Sequence, residues 1–335
     1  MQKTLLITGG AGYIGSHTAY LLAQRGYRVI ILDSCVHGQR FNRTWATFIK
    51  GDFADDLLLR QIFSNYKIDT VIHFAAFIEI GESEKHPQKF YNNNVTKTFK
   101  LLDVMLEFNV KNFVFSSSCA VYGVPVKVPI DEGHHLEPFS TYGRNKLSIE
   151  FILKDYSSAY NLRYVSLRYF NAAGASPEVN LGEYHVPETH VIPLLIRAAR
   201  NNKNFYIYGQ DYKTQDGTCV RDYIHVCDLA KAHIYSCEYL SQGGESTVFN
   251  LGTGRGYSVR ELVTKVQEIC NLNINVCFYD RRPGDVPVLI ADYSKARKLL
   301  GWEPTFSLSE IIKSAYEWEK ILYQECISSS LAQHF

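Results

Sequence analysis

The chain has 335 residues, with 35 Lys and Arg against 34 Asp and Glu, a net charge of +1. Charge this balanced excludes a global field that would draw the chain to nucleic acid or an acidic membrane. Hydrophobic residues at 46% and charged residues at 21% exclude a mostly disordered chain, and the length allows about two domains.

Residues 4–8 form a short β-leaning run, and the glycine-rich stretch 9–15 follows at once. Residues 16–25 have helical spacing and stop at Gly26; residues 28–33 read as a second strand. The pattern then predicts strands over 48–52, 70–74, 112–116 and 164–169, with helices over 57–66, 95–108 and 141–160. Continuous apolar strands separated by helices imply a parallel sheet covered on both faces, with right-handed crossovers. After about residue 175, Pro177, Gly182, Pro187 and Pro193 lengthen the loops. A strand over 204–208 and helices over 259–270 and 308–323 are predicted there. The expected fold class is α/β: a Rossmann-type doubly wound parallel sheet with a smaller, partly interleaved C-terminal α/β lobe. The expected domains are 1–175, with return segments near 222–252, and 176–327, leaving 328–335 as a frayed tail.

Eight cysteines are scattered without a CxxC pair, so neither a disulfide framework nor a metal site is expected. The N-terminus shows no signal-peptide pattern, and the longest apolar stretches are too short to span a bilayer. A reduced cytoplasmic enzyme is the expectation.

Gly9, Gly12 and Gly15 are spaced G-x-x-G-x-x-G, and Gly10, Gly12 and Gly15 satisfy G-x-G-x-x-G. The turn follows a strand, opens a helix, and precedes Asp33 by 18 residues counted from Gly15. That context predicts a dinucleotide site, with the pyrophosphate on the helix N-terminus and Asp33 on the adenosine ribose. An acid there favours NAD over NADP, although Arg40 and Arg43 nearby pull the other way. Asp52, after the third strand, is expected to pair with the adenine amino group.

Tyr142 and Lys146 stand four apart, hence on one helix face. A lysine ammonium beside a phenol lowers the phenol's pKa, and a depressed Tyr can act as a general base. The pair opens a long helix after the strand ending Ser116-Ser117-Ser118.

With these motifs the chain resembles the extended short-chain dehydrogenase/reductase family, and within it the UDP-sugar 4-epimerases, from residue 3 to about 320. The resemblance rests on residues 8–17, 69–75, Gly81-Glu82-Ser83, Asn93-Asn94-Val95, Phe115-Ser116-Ser117-Ser118 and Val121-Tyr122-Gly123. It continues through residues 168–171, 216–218, 221–226, 250–252 and 281–285. It implies that Tyr142 is the catalytic base, that Lys146 orients it, and that Ser118 binds the reacting sugar oxygen. Held NAD⁺ would accept and return a hydride at C4 of UDP-galactose or UDP-glucose, through a 4-keto sugar that turns about its diphosphate.

The cofactor residues so implied are Gly9, Gly12, Tyr13, Ile14, Gly15, Asp33, Asp52, Phe53, Phe74, Ala75, Ala76, Asn93, Ser116 and Phe170, with Tyr142 and Lys146. For the substrate they are Ser118, Tyr142, Asn171, His190, Val191, Tyr206, Tyr208, Arg221, Arg282, Asp285 and Leu289. Arg221 and Arg282 would grip the diphosphate and Asp285 the uridine ribose. The Tyr206–Tyr208 strand would meet the uracil.

Dehydratases of the family carry an acid just after the Ser/Thr, whereas Cys119 and Ala120 stand here. Ile78 replaces a common Lys, and His190 a common Asn. Leu289 lies where a Tyr accompanies plain hexoses and a smaller residue admits acetamido sugars. UDP-N-acetylhexosamine, UDP-pentose or UDP-uronate epimerisation, net UDP-sugar reduction and a non-catalytic NAD-sensing role stay as alternatives. The resemblance also implies a homodimer through the 95–108 and 141–160 helices, with Leu101, Leu102, Met105, Leu147 and Phe151 offering apolar faces.

Overall fold

The computed structural model describes residues 2–36, 43–282 and 284–332. Arg40 and Pro283 lie outside the described residues.

Seven strands form one parallel sheet: β1 (Thr4–Thr8), β2 (Arg28–Asp33), β3 (Thr47–Lys50), β4 (Thr70–His73), β5 (Asn112–Ser118), β6 (Arg163–Tyr169) and a late arrival at Thr247–Leu251. Three shorter strands come between β6 and that last one: β7 (Asn171–Ala173), β8 (Asn204–Tyr208) and β9 (Val220–His225), making Thr247–Leu251 β10. The order is β10-β6-β5-β4-β1-β2-β3. The period of two sends alternate side chains to opposite faces. Leu5, Ile7, Val29 and Ile31 pack with Leu22, Leu229 and Ile234 on one face. Leu6, Ile30, Leu32 and Val71 pack with Leu59, Leu101 and Met105 on the other. Both faces being dry, the strands read as unbroken apolar runs.

The order reverses between β1 and β4. A crevice therefore opens beyond the carboxyl ends of these two strands, the place where open α/β sheets bind ligands. A smaller sheet, centred on β9, carries β7, β11 (Gly256–Ser258) and β13 (Val288–Leu289). β8 pairs with β12 (Asn275–Tyr279) in a two-stranded sheet.

Predicted elements appear with small shifts. The third strand ends at Lys50, which leaves Asp52 in the following turn. A π-helical turn, Tyr91–Thr96, precedes the Lys97–Glu107 helix. The last helix runs Leu308–Ala332, past the predicted end at 323 and through most of the expected tail. The sequence reading missed the Val226–Ser241 helix. Val226, Leu229, Ala230, Ala232, His233, Ile234, Ser236, Cys237 and Leu240 are all buried in it, so the dry face is broad and only a narrow half-exposed stripe, Cys227, Lys231, Tyr235 and Glu238, sets it off. It packs on the Tyr13–Gln24 helix and its chain returns to the large sheet as β10. No helix among the described residues is long and apolar enough to cross a membrane.

Burial lowers the pKa of His17, His225 and His233 from 6.5 to about 4, and that of His73 to about 3. These side chains stay neutral in the fold, while the unfolded chain protonates them near 6.5. Between about pH 6.5 and 4 the unfolded state binds more protons, so stability falls as pH drops through that window. The urea midpoint is expected to be lower at about pH 4.5 than at pH 7; an unchanged midpoint would count against this account.

Candidate active site

Gly9 follows β1 with φ +72°, a left-handed conformation that suits glycine. A Cβ there would stand 2.5 Å from the Ala75 nitrogen, and one on Gly15 would stand 2.4 Å from the Gly9 carbonyl oxygen. Gly12 caps the Tyr13–Gln24 helix with no side-chain hydrogen bond, and no acid occupies the first turn. The helix N-terminus, with Tyr13, Ile14 and Gly15 in its first turn, is therefore open to a pyrophosphate. Tyr13 turns its own hydroxyl away, donating to the Gly174 carbonyl at 2.6 Å.

Asp33 ends β2. Its two oxygens accept N–H groups of Ala11 (3.0 Å) and Cys35 (2.8 Å), which aims the carboxylate across the glycine turn. A ribose diol fits its remaining lone pairs. Asp52 accepts from the Ala54 N–H at 2.9 Å and pairs closely with Lys97. Phe53 is buried against His73. Phe74 continues β4 toward the crevice with Ala75 and Ala76, and Ala75 N–H donates to the Thr8 carbonyl at 3.1 Å. Asn93 lies in the π-helical turn and bonds Asn94 at 3.1 Å. These residues fit a dinucleotide: a side-chain-free cradle, an open helix end and a pinned acid.

Ser118 ends β5, and Ser140 caps the Thr141–Tyr160 helix, accepting from the Gly143 N–H at 3.0 Å. Tyr142 and Lys146 thus enter on one helix face beside the strand end. The Ser118 hydroxyl, which accepts from the Ala120 N–H at 3.2 Å, lies close enough to Tyr142 to favour its ionised form. Lys146, 2% exposed, donates to the Ser116 carbonyl at 2.6 Å and sits 5.6 Å from the Tyr142 ring centroid. The Ser116 hydroxyl bonds closely to Tyr169.

Burial first, then Tyr169, pushes the Tyr142 phenol above its ordinary value, with Ser118 working the other way. Burial also pulls Lys146 down to about 7, opposed by Glu150. Lys146 Nζ is bonded to the Ser116 carbonyl, so it acts on the phenol through space, 5.6 Å from the ring centroid. Burial pushes the Cys119 thiol up to about 12, against a reactive thiolate there.

A buried network unseen in the sequence holds this helix. Glu150, one turn after Lys146, accepts from Ser117 Oγ (2.5 Å), Arg168 Nε (3.0 Å) and Arg168 Nη2 (2.5 Å). Arg168 Nη1 donates to the Tyr122 hydroxyl at 2.9 Å, and that hydroxyl donates to Asn250 Oδ1 at 2.6 Å. The i, i+4 spacing of Lys146 and Glu150 was the one signal that could have found it.

On the other wall, Leu289 in β13 is register partner of Arg221 in β9, and Asn171 in β7 that of Tyr223. Asn171 Nδ2 donates to the Asp222 carbonyl at 3.0 Å. Arg221 donates to the Val286 carbonyl at 2.8 Å and lies 3.5 Å from Asp285. Arg282 lies over the Tyr208 ring at 3.7 Å. Phe205 and Ile207 are buried, which turns Tyr206 and Tyr208 to the opposite face of β8. Among the described residues β8 is paired on one edge only, so its other edge can meet a planar ring with amide-like donors and acceptors. Leu289 and Phe170 pack with Val121 and Tyr122. His190 precedes Val191, the first residue of the Val191–Arg200 helix. Its Nδ1 faces Glu183 Oε1 at 2.7 Å and Glu188 Oε1 at 3.0 Å.

Residues 5–252 match the model of the NAD dependent epimerase/dehydratase family. The chain belongs to this family. Within the epimerases it is 49% identical to a UDP-glucose 4-epimerase of Rhizobium leguminosarum bv. trifolii over 317 residues, 94% of this chain and 97% of the relative. The UDP-glucose 4-epimerase of Brucella ovis, solved with NAD, superposes with a TM-score of 0.90 at 46% identity, covering 94% and 97% of the two chains. That of Stenotrophomonas maltophila, solved with NAD and formylated UDP-arabinopyranose, gives 0.93 at 34% identity, over 97% and 100%.

Proposed function

We propose that this chain interconverts UDP-galactose and UDP-glucose by inverting C4, with NAD held at the Gly9–Gly15 turn and Asp33. The observation that carries this reading is Tyr142, Ser118 and Lys146 gathered beside the dinucleotide crevice, with Cys119 and Ala120 where an eliminating enzyme needs an acid. When bound, NAD⁺ supplies the two-electron acceptor and donor for C4 and a positive charge beside Tyr142.

Tyr142 removes the proton from O4 and returns it after inversion. Ser118 holds O4 in line with the phenol. Lys146 fixes the Ser116 carbonyl end of β5 and binds the nicotinamide ribose. Arg221 and Arg282 hold the diphosphate through guanidinium forks, so the sugar can turn while the nucleotide stays fixed. Asp285 takes the uridine ribose hydroxyls, the other edge of β8 takes the uracil, and Asn171 and His190 face the sugar diphosphate. Residues 1–175 with 222–252 form the cofactor domain, residues 176–327 the sugar-nucleotide lobe, and the enzyme works in the cytoplasm. A coupled assay of purified chain with UDP-galactose, without added NAD, is expected to show UDP-glucose; none formed would refute the proposal.

Leu289 sets the room at C2. UDP-glucose is expected to be used better than UDP-N-acetylglucosamine, and Leu289→Ser to shift the ratio of kcat/KM toward the acetamido sugar by about tenfold or more. An unmoved ratio would remove Leu289 from the pocket wall.

The enzyme is a homodimer through the Lys97–Glu107 and Thr141–Tyr160 helices. Leu101, Leu102, Met105 and Leu147 are core residues, which corrects four of the five contacts expected from sequence. Phe151 at 56%, Phe99 at 38% and Tyr160 at 49% exposure are the apolar side chains that remain outside. Light scattering should give twice the chain mass for the wild type and a shift to monomer for Phe151→Asp; a wild-type monomer refutes this interface.

A further inference from the structure

We infer that Glu183, His185, Glu188 and His190 form a divalent-metal site with the chemistry of Zn²⁺ at the start of the Val191–Arg200 helix. The four ligand atoms lie within 4.8 Å of one another. His190 Nδ1 is 2.7 Å from Glu183 Oε1 and 3.0 Å from Glu188 Oε1. His185 Nδ1 is 3.4 Å and 4.0 Å from the same two oxygens. Zn–N and Zn–O bonds of about 2.0–2.1 Å place tetrahedral ligand atoms about 3.3–3.4 Å apart. The four measured edges straddle that value.

Hydrogen bonding leaves the group incomplete. Among the described residues, His185 Nδ1 and Glu188 Oε2 have no hydrogen-bond partner, although the Glu188 side chain is only 2% exposed. The neighbouring cation is already committed: Arg197 donates to Glu319 through bonds of 2.8, 2.9 and 3.0 Å and stands 3.7 Å from Glu188. Two carboxylates thus face two imidazoles, and a dication balances them with both rings neutral. Two imidazole nitrogens and two carboxylate oxygens are a borderline donor set that suits Zn²⁺.

An outer layer fixes the Glu188 carboxylate and the Glu183 backbone. Glu188 Oε1 accepts the N–H groups of Thr189 (2.8 Å) and His190 (2.9 Å), and the Trp318 indole donates to the Glu183 carbonyl at 2.7 Å. Four protein ligands close the coordination sphere, so the site is structural rather than hydrolytic. It ties the 183–190 loop to the helix beside a small pocket that Asn171, Glu183, His190 and Tyr223 line. With Nδ1 on the metal, His190 Nε2 carries the proton and still donates a hydrogen bond. Scattered cysteines gave no hint of this group, because its ligands are His and Glu within one eight-residue stretch.

The test uses the untagged full chain purified without chelators, and it does not depend on turnover. Elemental analysis is expected to find about one zinc per chain. Protein stripped with a chelator should take up Zn²⁺, regain its thermal midpoint, and give the intense visible bands of tetrahedral Co²⁺ when cobalt is supplied instead. His185→Gln and Glu188→Gln, each judged folded by circular dichroism, should weaken zinc binding by at least about 10–100-fold, the scale for losing even an outer partner. A wild type that neither carries nor takes up zinc would overturn the site, as would variants that bind it with unchanged affinity.

Discussion

Tyr142→Phe is expected to lower kcat about 10²–10⁴-fold, the range for losing a positioned general base. The ring stays, so the packing stays, and Tyr142 N–H keeps its 3.2 Å bond to Ser83 Oγ. What disappears is the hydroxyl beside Ser118, the group proposed to take the O4 proton. KM should therefore change far less than kcat, and the NAD released on denaturation should match the wild type. A variant within about tenfold of wild-type kcat would move the proton transfer to another group. The phenol raised by burial makes this a demanding test. Its acidity in turnover depends on positive charge in the crevice, where Lys146 Nζ stands 5.6 Å from its ring centroid.

Glu150→Leu should carry the largest stability penalty of any single change in the site. Glu150 and Arg168 side chains are 6% and 4% exposed, and the carboxylate accepts three hydrogen bonds. Removing one partner leaves an uncompensated buried charge, which costs about 3–5 kcal/mol. Replacing both with apolar residues of similar size is commonly near neutral. Urea unfolding should therefore show Glu150→Leu strongly destabilised and Glu150→Leu with Arg168→Met much closer to wild type. Equal loss in both variants would mean that shape, not charge pairing, holds the Thr141–Tyr160 helix to β5 and β6.

The parts legible in the sequence are those whose chemistry is local. Gly9 and Gly15 had to be glycine because backbone closes on them, and Asp33 is tied to the same turn by short-range hydrogen bonds. Tyr142 and Lys146 share a helix face that spacing alone defines. The parts that stayed hidden depend on what other elements bring. Glu150 and Arg168 sit on a helix and a strand, and nothing in their identity says that both are buried. The Val226–Ser241 helix is hard to read because it is buried round most of its circumference, leaving only a narrow half-exposed stripe at Cys227, Lys231, Tyr235 and Glu238. Leu101, Leu102 and Met105 have the spacing of an interface, yet the sheet claims them. Asp52 reads as a free acid, while Lys97 occupies one of its oxygens.

The central claim is that C4 is inverted by removing and returning its own hydrogen, with Tyr142 moving only the O4 proton. Purified chain given UDP-galactose deuterated at C4 tests this directly, with the product read by mass spectrometry and proton resonance. The account predicts UDP-glucose that keeps the deuterium at C4. Loss of that deuterium to water would contradict it.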